Sequence, residues 1–236
     1  NTVILSPSSQ SIETNKLLQE LINSNFDKKQ IYCTDGNKEL IAQILKQGVN
    51  HLFFTGSYKT AQYLHKLCSE NLIPSTFELG GKSPLIVDKD ANLEICAKRV
   101  CLGKFINCGQ TCIAPDYLFV HKEVKEEYLE LLKKYIKEFF GENPLQSENY
   151  GRLINQRQFA RLQQLLSQGK ILFGGKSNET EKYISPTLIE PNNLTTSLMQ
   201  EEIFGPILPV LEFEDIENVI TFINQRPRPL ALYYFG

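Results

Sequence analysis

Residues 51–79 read HLFFTGSYKTAQYLHKLCSENLIPSTFEL, and this stretch decides the fold class. A short apolar run at 51–54 predicts a strand, and the spacing of apolar residues over 58–71 predicts an amphipathic helix. A second strand is predicted over 75–79. A strand, a helix and a strand joined by short connections are typical of a βαβ unit, so we expect a parallel sheet covered by helices.

The same alternation continues on both sides of this stretch. Upstream, apolar spacing predicts strands over 3–5 and 30–33 and helices over 11–24 and 38–47. Downstream, it predicts helices over 91–103, 122–140, about 155–167 and about 214–224, and strands over 117–120, 170–173, 183–184, 187–189, 207–211 and 230–236. The expected inward stripe of the 122–140 helix is Val124, Tyr128, Leu131, Tyr135 and Phe139. Gly80-Gly81 interrupts the rhythm, so we predict one domain over 1–81 and a second over 82–236.

Composition excludes several classes of protein. The chain has 236 residues, 42% of them hydrophobic, and a formal net charge of −2, which suits a globular domain with a sizeable core. No block of like charge indicates a nucleic-acid partner, and no apolar run approaches the roughly 18 residues of a membrane span. The chain starts without Met and ends within a predicted strand, so we expect an internal fragment of a longer protein.

Six cysteines are present, at positions 33, 68, 96, 101, 108 and 112. Their spacings match neither a zinc ribbon nor a C-x-x-C redox pair. A chain this rich in core residues does not need disulfides for stability. We therefore expect free and mostly buried thiols in a reducing, cytoplasmic setting.

Glu78 and the loop at 107–112 are the first places where chemistry is expected. Glu78 precedes Gly80-Gly81 in an apolar strand, and it is either a solvent-facing residue or a base beside a closely approaching ligand. The loop Asn107-Cys108-Gly109-Gln110-Thr111-Cys112 follows a predicted helix. Its cysteines are either buried or include a thiolate nucleophile. A metal pair is the weaker alternative, because no His or further Cys lies nearby in the sequence.

Two other stretches carry less information by themselves. In Phe54-Thr55-Gly56-Ser57, a strand leads into a helix whose first backbone N–H groups can hold a phosphate, although this is not a G-x-G-x-x-G motif. The stretch Glu201-Glu202-Ile203-Phe204-Gly205-Pro206 is typical of a solvated helix end, and its spacing alone assigns it no chemistry.

Taken together, three of these motifs resemble the aldehyde dehydrogenase superfamily. They are residues 77–84 (FELGGKSP), Asn107-x-Gly109-Gln110-x-Cys112, and residues 201–206 (EEIFGP), in this order and spacing. The stretches 112–117 (CIAPDY) and 151–155 (GRLIN) are similar to the shorter, dimeric subgroup that takes fatty and aromatic aldehydes. The resemblance covers essentially the whole chain. It implies a partial Rossmann-type parallel sheet, the C-terminal half of the dinucleotide-binding domain, followed by an α/β catalytic domain truncated at its C-terminus.

The resemblance also implies a role for each matching residue. Cys112 would be the nucleophile, and Glu78 would activate water to hydrolyse the thioester. Leu79, Gly56, Ser57, Glu202 and Phe204 would contact NAD or NADP, with Asn107, Gly109 and Gln110 supporting the oxyanion loop. The substrate would be a medium- or long-chain aliphatic or an aromatic aldehyde, and the complete protein a homodimer.

This chain departs from the family pattern around the adenosine. Ser6-Pro7-Ser8-Ser9 stands where the family usually has Lys-Pro-Ser-Glu, Tyr58-Lys59 follows Gly56-Ser57, and Asp35-Gly36-Asn37 replaces a Gly-Gly turn. The resemblance also implies that half of the nucleotide-binding sheet and an oxyanion-binding Asn belong to segments outside this chain. For these reasons together we expect this chain alone to bind NAD weakly and to show negligible turnover. Two alternatives stay open: a redox-inactive binding protein on the same scaffold, and a cofactor-independent thioesterase or esterase that uses Cys112.

Overall fold

The computed structural model describes residues 2–236, apart from the side chain of Lys38. Two compact units make up the chain: the first ends at Leu79, and the second runs from Gly80 to Gly236. This division lies two residues before the predicted one. The assignment of the two units to cofactor binding and catalysis stays a prediction.

The first unit alternates strands and helices. In order, its elements are β1 (Val3–Leu5), α1 (Ile12–Asn25), β2 (Ile31–Cys33), α2 (Lys38–Gln47), β3 (Leu52–Gly56), α3 (Tyr58–Glu70) and β4 (Ser75–Leu79). The strands form two parallel pairs, β1 with β2 and β3 with β4. The parallel arrangement is as predicted, but the four strands form two separate pairs rather than one continuous sheet. The core beside β3 and β4 contains Leu45, Leu64, Leu67, Cys68 and Ile73.

The second unit contains a larger, mixed sheet. The strands of the second unit are β5 (Pro84–Val87), β6 (Tyr117–His121), β7 (Gly169–Phe173), β8 (Ser177–Asn178), β9 (Tyr183–Ile184), β10 (Thr187–Pro191), β11 (Ile207–Phe213) and β12 (Tyr233–Phe235). Its helices are α4 (Leu93–Phe105), α5 (Lys125–Phe140), α6 (Gln156–Leu165), α7 (Ser197–Gln200) and α8 (Ile216–Asn224). The six-stranded order is β12-β5-β6-β11-β10-β7, and only the β10–β7 pairing in it is antiparallel.

Three elements were not predicted: strand β5, the two-residue strand β8 and helix α7. One helix face is also wider than its prediction. Strand β5 is buried on both faces, so it lacks the alternation that marks a half-buried strand. Helix α7 has four residues, too few for a periodic pattern. Helix α5 buries Tyr128, Leu129, Leu132, Tyr135, Ile136 and Phe140. The predicted stripe is confirmed at Tyr128 and Tyr135. Its other members, Val124, Leu131 and Phe139, are partly buried and pack against the same core at the border of a wider apolar face.

None of the helices within residues 2–236 combines the length and the apolar character that a membrane crossing requires.

Candidate active site

A left-handed turn leads from α4 toward Cys112. A short 3-10 segment covers Ile106–Gly109. Within it Asn107, Cys108 and Gly109 have φ angles of 52°, 55° and 69°. Positive φ is uncommon outside glycine, and such residues cluster at functional sites. The residues around this turn must therefore stabilise it.

Gly109 is fixed as glycine by its neighbours as well as by its φ angle. A Cβ atom built on it would lie 2.3 Å from the carbonyl oxygen of Gly205 and 2.9 Å from that of Lys104. Both are backbone atoms that cannot move aside cheaply. This close approach joins the 107–112 loop to the 201–206 stretch.

Gln110 braces the turn from the other side. Its Nε2 donates to the carbonyl oxygens of Asn107 at 3.0 Å and Arg152 at 3.1 Å. Its Oε1 accepts from the backbone N–H of Ile154 at 2.9 Å. The Asn107 amide donates in turn to the Gln110 carbonyl at 3.1 Å. Gln110 and Asn107 thus connect the loop to the 151–155 stretch.

The structure separates Cys112 from the other thiols. Of the six cysteines, all of which lie in the described part of the chain, Cys112 alone is not buried. Its neighbour in the loop, Cys108, is 1% exposed, and burial raises the pKa of the Cys108 thiol to about 11. Burial also raises the pKa of Cys96 to about 11. Because the thiolate is the reactive form, Cys112 is the best-placed nucleophile.

Glu202 occupies the space that Gly80 and Gly81 leave open. Its Oε1 accepts from the Gly81 N–H at 3.1 Å, and a Cβ on Gly80 would lie 2.0 Å from the same oxygen. Burial raises the pKa of Glu202, and the hydrogen bond from Gly81 partly opposes that rise. Within the second unit the glycine pair makes room for this carboxylate. The close approach of a ligand to the same pair stays a prediction.

A buried ion pair holds the segment that carries Glu202. The Lys82 Nζ donates to Asp116 Oδ2 at 2.8 Å and to the carbonyls of Leu198 at 2.7 Å and Glu201 at 3.0 Å. Asp116 Oδ1 accepts from the Ile203 N–H at 2.9 Å. Both charged side chains are largely buried. Asp116 therefore connects the residues after Cys112 with the residues around Glu202.

Arg161 of α6 completes the support for this segment. Its guanidinium donates to the carbonyl of Glu202 at 3.3 Å and to that of Ile203. Sequence reasoning assigned no role to Lys82, Asp116 or Arg161. The available signal was that Lys82 and Asp116 are charged residues inside two of the quoted motifs, next to strands β5 and β6. Arg161 gave no signal.

Phe204 lies just beyond this support. It has a positive φ of 46°, and its side chain remains 39% exposed. An exposed aromatic ring on a conformationally restricted backbone is suited to contact a planar ligand. The assignment of Phe204 and Glu202 to the nicotinamide end of a cofactor stays a prediction.

Lys104 is an unexpected buried charge behind the loop. It is 0% exposed, and within the described residues its Nζ has no hydrogen-bond partner. Burial lowers the pKa of Lys104 to about 8, although Asp116 and Glu202 favour its protonated form. A buried amine without a partner destabilises the folded state.

The predicted positions in the first unit are supported by local contacts. Ser57 caps α3, since its Oγ accepts from the Thr60 N–H at 3.4 Å. Gly56 lies opposite Leu79 in the β3–β4 register. Glu78 in β4 is exposed, which is how a solvent-facing strand residue or a base open to water would lie. Since Glu78 and Cys112 belong to different units, their pairing stays a prediction.

The residues that depart from the family pattern form their own turn. Thr34 Oγ1 donates to Ser6 Oγ at 3.0 Å and accepts from the Gly36 N–H at 3.2 Å. Gly36 has a φ of 78°, and a Cβ on it would lie 2.2 Å from the Pro7 carbonyl oxygen. Asn37 caps α2. Ser6 is therefore already engaged in a hydrogen bond within the first unit.

Each unit by itself offers groups that suit part of a dinucleotide. In the first unit, the start of α3 offers backbone N–H groups to a phosphate. In the second unit, Glu202 offers a carboxylate that can accept from ribose hydroxyls, and Phe204 offers an exposed ring. Within residues 2–236, no three His, Cys, Asp or Glu side chains lie together as metal ligands would.

Comparison with known proteins identifies the family. The model of the aldehyde dehydrogenase family matches residues 1–236. The chain belongs to the aldehyde dehydrogenase family. It spans about half the length of the curated relatives it matches.

Two aldehyde dehydrogenases and one solved structure illustrate the similarity. The chain is 44% identical to 4,4'-diaponeurosporen-aldehyde dehydrogenase of Staphylococcus aureus, covering 100% of the chain and 52% of that enzyme. It is 40% identical to the dimeric NADP-preferring aldehyde dehydrogenase of Rattus norvegicus, covering 100% and 52%. A structure of Staphylococcus aureus AldH in a substrate-bound state superposes with a TM-score of 0.97 at 43% identity, covering 100% of this chain and 52% of that one. The predicted fold class is thereby confirmed.

Proposed function

We propose that this chain supplies the nucleophile and part of the cofactor contacts of an enzyme that oxidises aldehydes to carboxylic acids with NAD or NADP. The observation that carries the proposal is the environment of Cys112. It is the one cysteine of the six that is not buried, and it follows a left-handed turn held by Gly109 and Gln110. Family membership supports the reaction class.

The proposed reaction uses Cys112 first. Its thiolate attacks the aldehyde carbon, a C–S bond forms, and the oxygen of the thiohemiacetal is held by the Cys112 backbone N–H. A bound NAD or NADP would supply the acceptor for the hydride that this carbon loses as the thiohemiacetal becomes a thioester on Cys112. Glu202 and Phe204 are the residues of this chain that would hold the nicotinamide end of that cofactor.

Hydrolysis then regenerates the thiol. Glu78 takes a proton from water, the water oxygen attacks the thioester carbonyl, and the C–S bond breaks to release the acid. The Glu78 side chain is exposed, so its carboxylate is accessible to water. A thioester is a good acyl donor, so a carboxylate base suffices for this step.

The relatives support finer points of the proposal. One is named for a diaponeurosporen aldehyde and another as dimeric and NADP-preferring. We propose a medium- or long-chain aliphatic or an aromatic aldehyde as substrate, NAD or NADP as cofactor, and a homodimer in the complete protein. A cytoplasmic location is proposed from the cysteine pattern.

Thiol labelling tests the nucleophile without requiring turnover. Brief treatment with substoichiometric iodoacetamide, followed by peptide mass spectrometry, should label Cys112 ahead of the other five cysteines. Octanal added beforehand should protect Cys112 through the thiohemiacetal. The matched variants are C112S, which should remove both effects, and C108S, which should preserve them. Labelling of Cys33 or Cys96 before Cys112 in the folded chain would contradict the assignment.

Activity assays separate the proposal from its alternatives. NADH or NADPH formation with octanal or benzaldehyde is expected from a complete enzyme containing this chain, and E78Q should retain the thioester. Hydrolysis of a 4-nitrophenyl ester without any nucleotide-dependent oxidation would favour an esterase, and neither activity would favour a binding protein. Calorimetric titration of NAD into the 236-residue chain should show weak binding that S6K combined with S9E improves. A low-micromolar dissociation constant for the unmodified chain would contradict the weight given to Ser6 and Ser9.

A further inference from the structure

The Arg152 guanidinium donates hydrogen bonds to the backbone carbonyl oxygens of three residues. One terminal nitrogen donates to the carbonyl oxygens of Tyr150 and Gly151, both at 3.1 Å, and the other donates to that of Leu145 at 2.6 Å. The guanidinium lies over the Tyr183 ring, 5.4 Å from its centroid. A planar fork of donors suits several acceptors at once, which a lysine ammonium does not. Arg152 therefore fixes the path of residues 145–152.

The segment that Arg152 fixes is the one that supports the left-handed turn. A Cβ atom built on Gly151 would lie 3.6 Å from the Cys108 sulfur, so the Gly151 backbone packs close to that thiol. The Arg152 carbonyl and the Ile154 N–H both bind the Gln110 side chain. A turn with three consecutive positive φ angles persists only when its surroundings stabilise it.

We propose that Arg152 is a positioning residue for the nucleophile loop, acting through Gly151 and Gln110 on the turn that precedes Cys112. This inference rests on the proposed role of Cys112. It assigns Arg152 no contact with substrate or cofactor. Its effect is to keep Cys108 covered and the backbone dipoles of the loop preorganised.

The cysteines of α4 and of the loop provide an internal test. In R152M, alkylation of Cys108 under native conditions should rise about tenfold or more, because charge-assisted hydrogen bonds that restrain local opening are lost. Cys96 and Cys101 should label as slowly as in the unmodified chain, since they lie in the core and report global unfolding. R157M, which removes an exposed arginine of α6, is the matched control and should change none of these rates.

A second readout responds to positioning rather than to stability. The octanal concentration that half-protects Cys112 from alkylation should shift upward in R152M, because a loosened loop no longer aligns the Cys112 thiol and backbone N–H with the aldehyde. R152K retains the charge and should restore part of the shift. If R152M fails to fold, R152K replaces it as the test variant. Q110L should reproduce the Cys108 effect, and Q110L combined with R152M should add little, because both act on one turn.

Unchanged labelling of Cys108 in both R152M and R152K would overturn the inference. An equal rise in the alkylation rates of Cys108, Cys96 and Cys101 would also overturn the inference, since Arg152 would then stabilise the whole unit. Failure of the proposed function has a different signature, because Cys112 would not be the first thiol labelled in the unmodified chain. The Cys108 result is judged independently of that outcome.

Discussion

The two units support their predicted functional residues in different ways. In the first unit, Ser57 is held by its own helix, and Gly56 and Leu79 by one strand register. In the second unit, Gly109, Gln110 and Glu202 are held by residues from distant parts of the chain, among them Gly205, Arg152 and Gly81. Local support follows from a few neighbouring residues. Support from distant residues requires the whole fold, so substitutions in the two units should differ in their effects.

The largest loss is expected where a buried charge loses its partner. D116A leaves the buried Lys82 ammonium without its carboxylate and frees the Ile203 N–H. We expect the free energy of unfolding of the second unit to fall by about 3–5 kcal/mol. Urea unfolding followed by near-ultraviolet circular dichroism, which reports tertiary structure, measures this loss. E130A, which removes the exposed partner of Lys133, should cost far less. Equal losses for D116A and E130A would show that the buried pair is not the main support of this segment.

The next effect compares two glycines that share a backbone conformation. Gly109 and Gly141 have φ angles of 69° and 79°, but a Cβ on Gly141 meets no atom within 4 Å. G109A should cost about 2–4 kcal/mol, because it combines left-handed strain with overlap against the Gly205 carbonyl. G141A should show the strain alone, about 1–2 kcal/mol. The two unfolding midpoints decide the matter, and similar values for both variants would remove the case for the Gly109–Gly205 contact.

Lys104 should give an effect of opposite sign. Its pKa is lowered from 10.5 to about 8, so between these pH values the unfolded chain carries a proton that the folded chain lacks. Stability therefore rises with pH across this window. K104M should flatten that rise and stabilise the unit at pH 7 by on the order of 2–3 kcal/mol. Urea unfolding of both proteins from pH 7 to 10.5 tests this, and a destabilised K104M would mean that the amine has a role that burial alone does not reveal.

The smallest effect is expected in the first unit. S57A removes the side-chain cap of α3 and should cost about 1 kcal/mol. S69A, near the other end of the same helix, removes a bond to the Lys66 carbonyl and caps no N–H group, so it should cost less. Thermal unfolding followed by far-ultraviolet circular dichroism compares them. A loss for S57A as large as that for D116A would erase the distinction between local and distant support.

Most elements of the fold could be predicted because each shows a regular spacing of apolar residues along its own segment. Helices α2, α3 and α6 have clear apolar faces, and strand β3 leads into Ser57 as expected. Strand β5 was missed because burial on both faces removes the alternation. The predicted stripe of α5 was too narrow, because the helix also buries Leu129, Leu132, Ile136 and Phe140, which one line of residues along the helix does not include.

The sequence by itself determined the family resemblance and the βαβ alternation, because these depend on residue type and spacing along the chain, and the resemblance in turn predicts Cys112 as the nucleophile. Only the tertiary structure revealed that Gly80 and Gly81 make room for Glu202, that Asp116 joins Lys82 to Ile203, and that Arg152 supports the turn before Cys112. Each of these contacts connects residues about 30 to 120 positions apart. The physical reason is that buried polar groups must find partners in space, and a single sequence does not record which distant group each one finds.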